Sequence, residues 1–85
     1  MLLNEAIKER IKKLMEENNI NSSYELTLKS GLHPSLLTDF FTSRTLYPKM
    51  DTMFLLCQGL GLTLEEFFND PLFNIENIEV EKDSK

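Results

Sequence analysis

The chain has 85 residues, 41% of them hydrophobic, with a formal net charge of −5 and one cysteine. A chain of this length forms one small core, and a single cysteine excludes an internal disulfide and a cysteine-built metal site. No apolar stretch approaches the ~20 residues that cross a bilayer, and no secretory signal pattern is present, so we expect a cytoplasmic protein without membrane contact.

The first predicted element is an amphipathic helix. Its apolar residues fall at the three- and four-residue spacing of one helix face: Leu3, Ile7, Ile11, Leu14 and Met15. Charged residues occupy the other faces. We interpret them mostly as solvated surface, with a phosphate contact by Arg10 or Lys13 as the alternative.

Two short helices joined at a glycine are predicted next. Ser22 and Glu25 have the spacing of a capping box, in which the serine hydroxyl accepts from the first turn and the glutamate accepts from the N–H of the cap residue. The first helix should therefore begin at Ser23. It should end at Gly31, which enters the left-handed region without a Cβ penalty.

The second helix of this pair follows a sharp turn. His33 takes the cap position and Pro34 the first helical position, where a missing N–H costs nothing. We expect the helix to run to about Thr42. The inward positions of the pair are apolar: Leu26, Leu32, Leu37 and Phe40. The outward positions of the second helix are short and polar: Ser35, Thr38, Asp39 and Thr42.

A fourth helix is predicted after Pro48. Asp51 lies in its first turn, where a negative charge suits the positive end of the helix dipole. The helix should end near Leu60, because Gly61 follows as a left-handed cap. Cys57 falls within it and is interpreted as a small core residue.

A fifth helix over residues 64–69 is predicted from Thr63 and Glu66, which form a second capping box. The expected fold class is all-α, a compact five-helix bundle over residues 1–70. Residues 71–85 form an acidic tail with three alternatives: a short helix, a strand paired across a dimer, or order only with a partner. Disorder or partner-dependent order is favoured.

The hinged run SYELTLKSGLHPSLLTDFFT resembles the helix-turn-helix of the Cro/phage-repressor (Xre-type) family of bacterial and phage DNA-binding proteins. The segment PKMDTMFLLCQGLGLTLEEFF is similar to the fourth and fifth helices of that family. The similarity covers roughly residues 5 to 69, which makes it more specific than a lone two-helix corner. It implies a bundle of the lambda-repressor-like DNA-binding type and a sequence-specific transcriptional regulator.

The resemblance also implies which residues touch DNA. In this family the second helix of the pair lies in the major groove, so the expected base contacts are Ser35, Thr38 and Asp39. Asp39 is either a reader of the cytosine amine or a surface acid. The expected contacts to the DNA backbone are Ser23, His33, Thr42, Ser43, Arg44, Thr45 and Lys49. Arg44 is the strongest of these, whereas His33 is equally a plain cap.

The acidic balance opposes DNA binding, but the acids are unevenly placed. Residues 1–50 hold seven basic and six acidic side chains, and residues 51–85 hold two basic and eight acidic ones. The acidic half is expected to face away from DNA. A protein with few basic side chains displaces few counterions from DNA. We therefore expect modest affinity for DNA and a shallow dependence of that affinity on salt concentration.

Apolar residues exceed what so small a bundle is expected to bury, which indicates a partner surface. A homodimer is the economical interpretation, because a two-fold pair presents two reading helices to half-sites ~34 Å apart. The candidate interface residues are Phe54, Leu55, Phe68, Leu72 and Phe73.

Two functions follow from these observations. The first is a dimeric repressor that binds double-stranded DNA. The second is a protein-interaction module on the same scaffold (an antitoxin, antirepressor or regulatory subunit) that uses the apolar and acidic C-terminal half and binds DNA weakly or not at all. One histidine, one cysteine and scattered carboxylates supply no nucleophile with a base and an orienting group, so no catalysis, cofactor or metal is expected.

Overall fold

A computed structural model describes residues 1–80 and contains five α-helices. In chain order they are α1 (Leu3–Glu17), α2 (Ser23–Ser30), α3 (Pro34–Phe41), α4 (Met50–Leu60) and α5 (Leu64–Phe68). Two short 3-10 turns follow, Pro71–Phe73 and Ile75–Asn77. The order and number of helices confirm the predicted all-α class.

The ends of α2 lie where the sequence predicts them. The Ser22 hydroxyl accepts from the Glu25 N–H at 3.1 Å, and Gly31 has a φ of 68°. The Glu25 carboxylate, however, accepts from the N–H of Asn21 at 3.0 Å instead of from the N–H of Ser22. The predicted box is thus half made, and the glutamate ties down the residue before the cap.

The second predicted capping box is complete. The Thr63 hydroxyl accepts from the Glu66 N–H at 3.1 Å, and the Glu66 carboxylate accepts from the Thr63 N–H at 2.8 Å. Gly61, just past α4, has a φ of 77°. Together these residues turn the chain sharply from α4 into α5.

The core lies between α1, α2, α3 and α4, with α5 closing one side. Its buried members are Ile7, Ile11, Leu14, Ile20, Leu26, Leu37, Phe40, Met53, Leu56, Cys57, Leu60 and Phe67. The predicted inward positions of the hinged pair are buried, except that Leu32 is half-buried against the same cluster. Gly59 permits a close approach of α2 and α4, because a Cβ atom there would lie 3.1 Å from the Ser30 Cα.

Residues 71–80 fold back on the start of the chain. The Leu3 N–H donates to the Glu79 carbonyl at 2.7 Å, and the Glu79 N–H donates to the Met1 carbonyl at 2.9 Å. Phe73 stacks on Phe67 and Phe68 with centroid distances of 6.1 and 5.0 Å. The sequence favoured disorder or partner-dependent order here, whereas in the structure aromatic packing and backbone pairing hold residues 71–80 against the rest of the same chain. The last part of the predicted tail, 81–85, lies outside the described residues.

Candidate nucleic-acid interface

The outward side of α3 carries the residues predicted to face DNA bases. Ser35 and Thr38 are exposed and Asp39 is half-buried, while Leu37 and Phe40 anchor the opposite side in the core. Residues three and four positions apart share a helix face, which is why these polar residues come together. The spacing therefore produces the predicted helix, with one polar and one apolar side.

His33 caps the start of α3. Its Nδ1 accepts from the Ser35 N–H at 3.2 Å and lies 2.8 Å from the Ser35 hydroxyl oxygen. An accepting Nδ1 leaves the proton of a neutral ring on Nε2. The cap thus holds the Ser35 hydroxyl against the ring, and Nε2–H remains as the donor of the exposed His33 side chain.

The threonine hydroxyls of this helix donate to its own backbone. Thr38 Oγ1 donates to the Pro34 carbonyl at 3.4 Å, and Thr42 Oγ1 donates to the Thr38 carbonyl at 2.7 Å. A hydroxyl has one donor and two acceptor lone pairs. What each threonine can still offer to a ligand is therefore an acceptor oxygen and a methyl group.

The turn after α3 is shaped by the backbone of Asp39. The Asp39 carbonyl accepts from the N–H groups of Arg44 and Thr45, at 2.8 and 3.0 Å. Ser43 adopts a left-handed φ of 65°, which reverses the chain there. The predicted backbone-contact residues of this turn are all exposed: Thr42, Ser43, Arg44 and Thr45.

Two lysines of α1 that were not predicted from the sequence as DNA contacts extend this region. Lys8 Nζ donates to the Ser43 hydroxyl at 2.9 Å and lies 5.4 Å from the centroid of the Phe40 ring. Lys12 Nζ lies 5.7 Å from the centroid of the Phe41 ring. Their four-residue spacing shows that they share a helix face, but only the packing of α1 on α3 shows what that face adjoins.

Arg10 and Lys13, the alternative phosphate contacts on α1, are engaged elsewhere. Arg10 donates to the carbonyls of Phe67 and Glu66 at 2.7 and 2.9 Å, and to the Asp70 carboxylate at 3.2 Å. Lys13 lies 3.5 Å from the same carboxylate. These two cations belong to the junction of α1 with α5.

The Asp70 carboxylate is the anionic centre of that junction. Its pKa is lowered chiefly by a hydrogen bond from the Leu72 N–H, and further by the charges of Lys13 and Arg10, which together outweigh the opposing effect of burial. The side chain is 8% exposed. An ionised, hydrogen-bonded carboxylate is the partner that a largely buried guanidinium requires.

Two surface grooves adjoin α3. One, of about 340 Å³, is lined by Lys12, Met15, Asn21, Ser22, Ser23 and Phe41. It brings the predicted contact Ser23 onto the same surface as Lys12. The other, of about 380 Å³, is lined by Leu32, Leu36, Thr45, Tyr47, Pro48, Lys49, Asp51, Thr52 and Leu55. It brings Thr45 and Lys49 beside the first half of α3.

The predicted dimer residues divide by exposure. Phe54 and Phe68 are exposed, whereas Leu55, Leu72 and Phe73 are half-buried. An apolar groove of about 420 Å³ lies beside Phe54 and is completed by Cys57, Gln58, Leu62, Thr63, Leu64 and Glu65. Cys57 itself is buried, and this burial raises the pKa of its thiol against a smaller, opposing effect of the Arg10 charge.

Among residues 1–80, no cluster of three or more His, Cys, Asp or Glu side chains is placed to hold a metal ion. None of the described helices combines the length and hydropathy that a membrane span requires.

Comparison with known proteins bears on this interface directly. The family model described as Cro/C1-type HTH DNA-binding domain matches residues 10–71, which include α2 to α5 and part of α1. No curated protein and no solved structure matches the chain. Because the family model matches well over half of the sequence, the chain belongs to the Cro/C1-type helix-turn-helix DNA-binding domain family and is, in general terms, a DNA-binding regulator.

Proposed function

We propose that the chain is a dimeric transcriptional repressor, with residues 1–70 as its DNA-binding unit and α3 in the major groove. The outward side of α3 carries the proposal. Ser35, Thr38 and Asp39 are accessible there, while the other side is fixed in the core. A major groove admits one α-helix. Repression is favoured because occupying an operator needs no further domain.

Asp39 is the residue we assign to base discrimination. Its carboxylate can accept from the N4 amine of cytosine, whereas phosphate repels it. Its backbone carbonyl accepts from Arg44 and Thr45, so the residue is held in place at the end of the helix. A backbone fixed in this way loses less conformational freedom when DNA binds.

Contacts to the DNA backbone are assigned to three places around α3. The first is the turn after the helix, with Ser43 and Arg44 and the neighbouring Lys8. The second is the start of α2, where Ser23 shares a groove with Lys12. The third is the groove lined by Thr45 and Lys49. These contacts fix register and not sequence.

The test is selection from a random-sequence duplex pool at two salt concentrations, with Arg44→Ala and Asp39→Ala beside the parent. We expect an enriched palindrome for the parent. Arg44→Ala should weaken binding to all sequences alike and lower the slope of log K against log salt by about one, as for the loss of one phosphate contact. Asp39→Ala should relax the preference at a single base pair of each half-site.

Lys29→Ala is the matched control, because Lys29 is an exposed lysine of α2 that we do not assign to DNA. It removes one positive charge and should leave the salt slope nearly unchanged. If no sequence is enriched even at low salt, the repressor proposal fails. An unchanged slope for Arg44→Ala would remove that residue from the contacts.

The apolar groove beside Phe54 supports a second candidate, a protein-interaction module. Its lining is mainly apolar, with Glu65 among its residues. The C-terminal half of the chain is also strongly acidic. If the pool selection fails, a partner with basic and apolar character becomes the better expectation.

A further inference from the structure

The chemistry that α3 can present to bases is unusually restricted. Its sequence, PSLLTDFF, contains no Arg, Lys, Asn or Gln, the side chains that form paired hydrogen bonds with guanine or adenine. The hydroxyls of Ser35 and Thr38 are already engaged, one with the His33 ring and the other with the Pro34 carbonyl. Direct readout by hydrogen bonds from α3 is therefore reduced largely to acceptors, with the Asp39 carboxylate foremost.

Leu36 is an apolar residue on this helix that the core leaves accessible. Its side chain is 43% exposed, although it stands in the first half of α3 between Ser35 and Leu37. It lines the same groove as Thr45 and Lys49, the assigned phosphate contacts. The exposed part of this leucine leaves apolar surface in water in the free protein, which is unfavourable.

The apolar group that DNA offers in the major groove is the C5-methyl of thymine. We propose that Leu36 is a specificity-determining residue that packs on a thymine methyl in each half-site. The proposal rests on the proposed function, in which α3 enters the major groove. It adds that the half-site is read by apolar contact as well as by Asp39, with the Thr38 methyl as a neighbouring apolar group.

The experiment replaces thymine by uracil, one position at a time, in the duplex selected by the parent protein. Uracil pairs with adenine as thymine does but lacks the C5-methyl, so the substitution deletes the proposed contact alone. We expect the Kd of the parent to rise about fourfold for one lost methyl contact. Leu36→Ala should bind the thymine duplex more weakly and show no further loss with uracil at that position.

Three companion variants separate this contact from other effects. Leu28→Ala truncates a leucine of α2 that is 62% exposed and should keep the full uracil penalty. Thr38→Ser removes the threonine methyl and should keep the penalty at the Leu36 position. Leu36→Met preserves an apolar side chain and should retain part of the penalty. Thermal unfolding by circular dichroism checks that each variant is folded.

Three other results would each overturn a different claim: the assignment of Leu36, methyl readout, or DNA reading itself. Equal uracil penalties in the parent and in Leu36→Ala would overturn the assignment of Leu36. A selected duplex that tolerates uracil at every thymine position would overturn methyl readout while leaving DNA reading intact. Failure to select any duplex, even at low salt, would overturn the proposed function itself.

Discussion

Among single residues, Gly59 sets how closely α2 and α4 approach. A Cβ atom on Gly59 would contact both the Cα and the hydroxyl oxygen of Ser30. That oxygen is buried and has no hydrogen-bond partner among residues 1–80. A buried hydroxyl without a partner is unfavourable, so the close contact of α2 with α4 destabilises the fold at this point. The contact also leaves no space for a side chain at position 59.

Gly59→Ala should therefore lower the free energy of unfolding by about 1–2 kcal/mol net. Overpacking at so short a contact is expected in the upper part of the usual range, about 2–3 kcal/mol, and the better helix propensity of alanine returns about 1 kcal/mol. Urea unfolding measures the change, with Gln58→Ala as a control at an exposed position of α4. In a Ser30→Ala background the loss should shrink, because the nearest contacting atom is gone. A Gly59→Ala protein as stable as the parent would contradict this steric account.

Among elements, the junction of α1 with α5 depends on one guanidinium. Arg10 donates to two carbonyls at the end of α5 and also to Asp70 just beyond it. Its charge lies 5.9 Å from the centroid of the Phe67 ring. A cation at this position suits the negative end of the helix dipole, so the short helix is held both by apolar packing and by charge.

Asp70→Asn tests this junction through pH. The pKa of Asp70 is lowered in the fold, so its carboxylate stabilises the protein above the unfolded pKa of about 3.9 and this contribution is lost as pH falls through the folded pKa. We expect the variant to be about 1.5–3 kcal/mol less stable than the parent at pH 7, and this gap to narrow progressively as pH falls below about 4. Unfolding by urea across this pH range measures the gap.

Glu65→Gln is the control for that series, since Glu65 is an exposed acid of α5. It should give a small difference from the parent at every pH. A gap between Asp70→Asn and the parent that is as large at pH 3 as at pH 7 would show that the carboxylate charge is not what stabilises the junction.

Helix boundaries could be predicted from the sequence because their signals are local. Ser22, Gly31, Pro34 and Thr63 act on backbone groups within a few residues of themselves, and the structure bears each of them out. The contact of Arg10 with α5 could not be predicted in this way. Its partners lie 56 to 60 positions away, and no spacing in the sequence records such a distance.

At the candidate interface, too, local features could be predicted from the sequence and contacts between distant residues could not. The outward side of α3 follows from helical periodicity alone, and the structure exposes Ser35 and Thr38 there and leaves Asp39 half-buried. Lys8 and Lys12 join that region only through the packing of α1 on α3. Leu36 likewise lines a groove with Thr45 and Lys49 only because of the path that the chain takes after α3.

For the whole molecule, the dimensions of one copy can be compared with the spacing of half-sites on DNA. Residues 1–80 measure 35 × 27 × 20 Å along their principal axes. One copy carries one α3, whereas successive major-groove half-sites on one face of DNA are ~34 Å apart. On the proposed function, two copies are needed to occupy both half-sites of a palindrome. We propose that the exposed Phe54 and Phe68 form the apolar surface of their contact.

We expect the protein to sediment as a dimer at micromolar concentration. Phe54→Ser should shift it toward the monomer, because a side chain that is 50% exposed in one copy would be the one covered in the dimer. Tyr24→Ser, at an exposed aromatic residue of α2, is the matched control and should leave the dimer intact. A parent that stays monomeric, or a dimer indifferent to Phe54→Ser, would contradict the proposed interface.

The pairing of Leu2 with Glu79 bears on the order in which the molecule assembles. The adjoining hydrogen bond, from the Met1 ammonium to the Asn77 carbonyl, spans 76 positions of the chain. Contacts that close so large a loop repay their entropy only after the helices between them have collapsed. We therefore expect residues 71–80 to pack after the folding barrier has been crossed, so that weakening these contacts would raise the unfolding rate more than it would lower the folding rate.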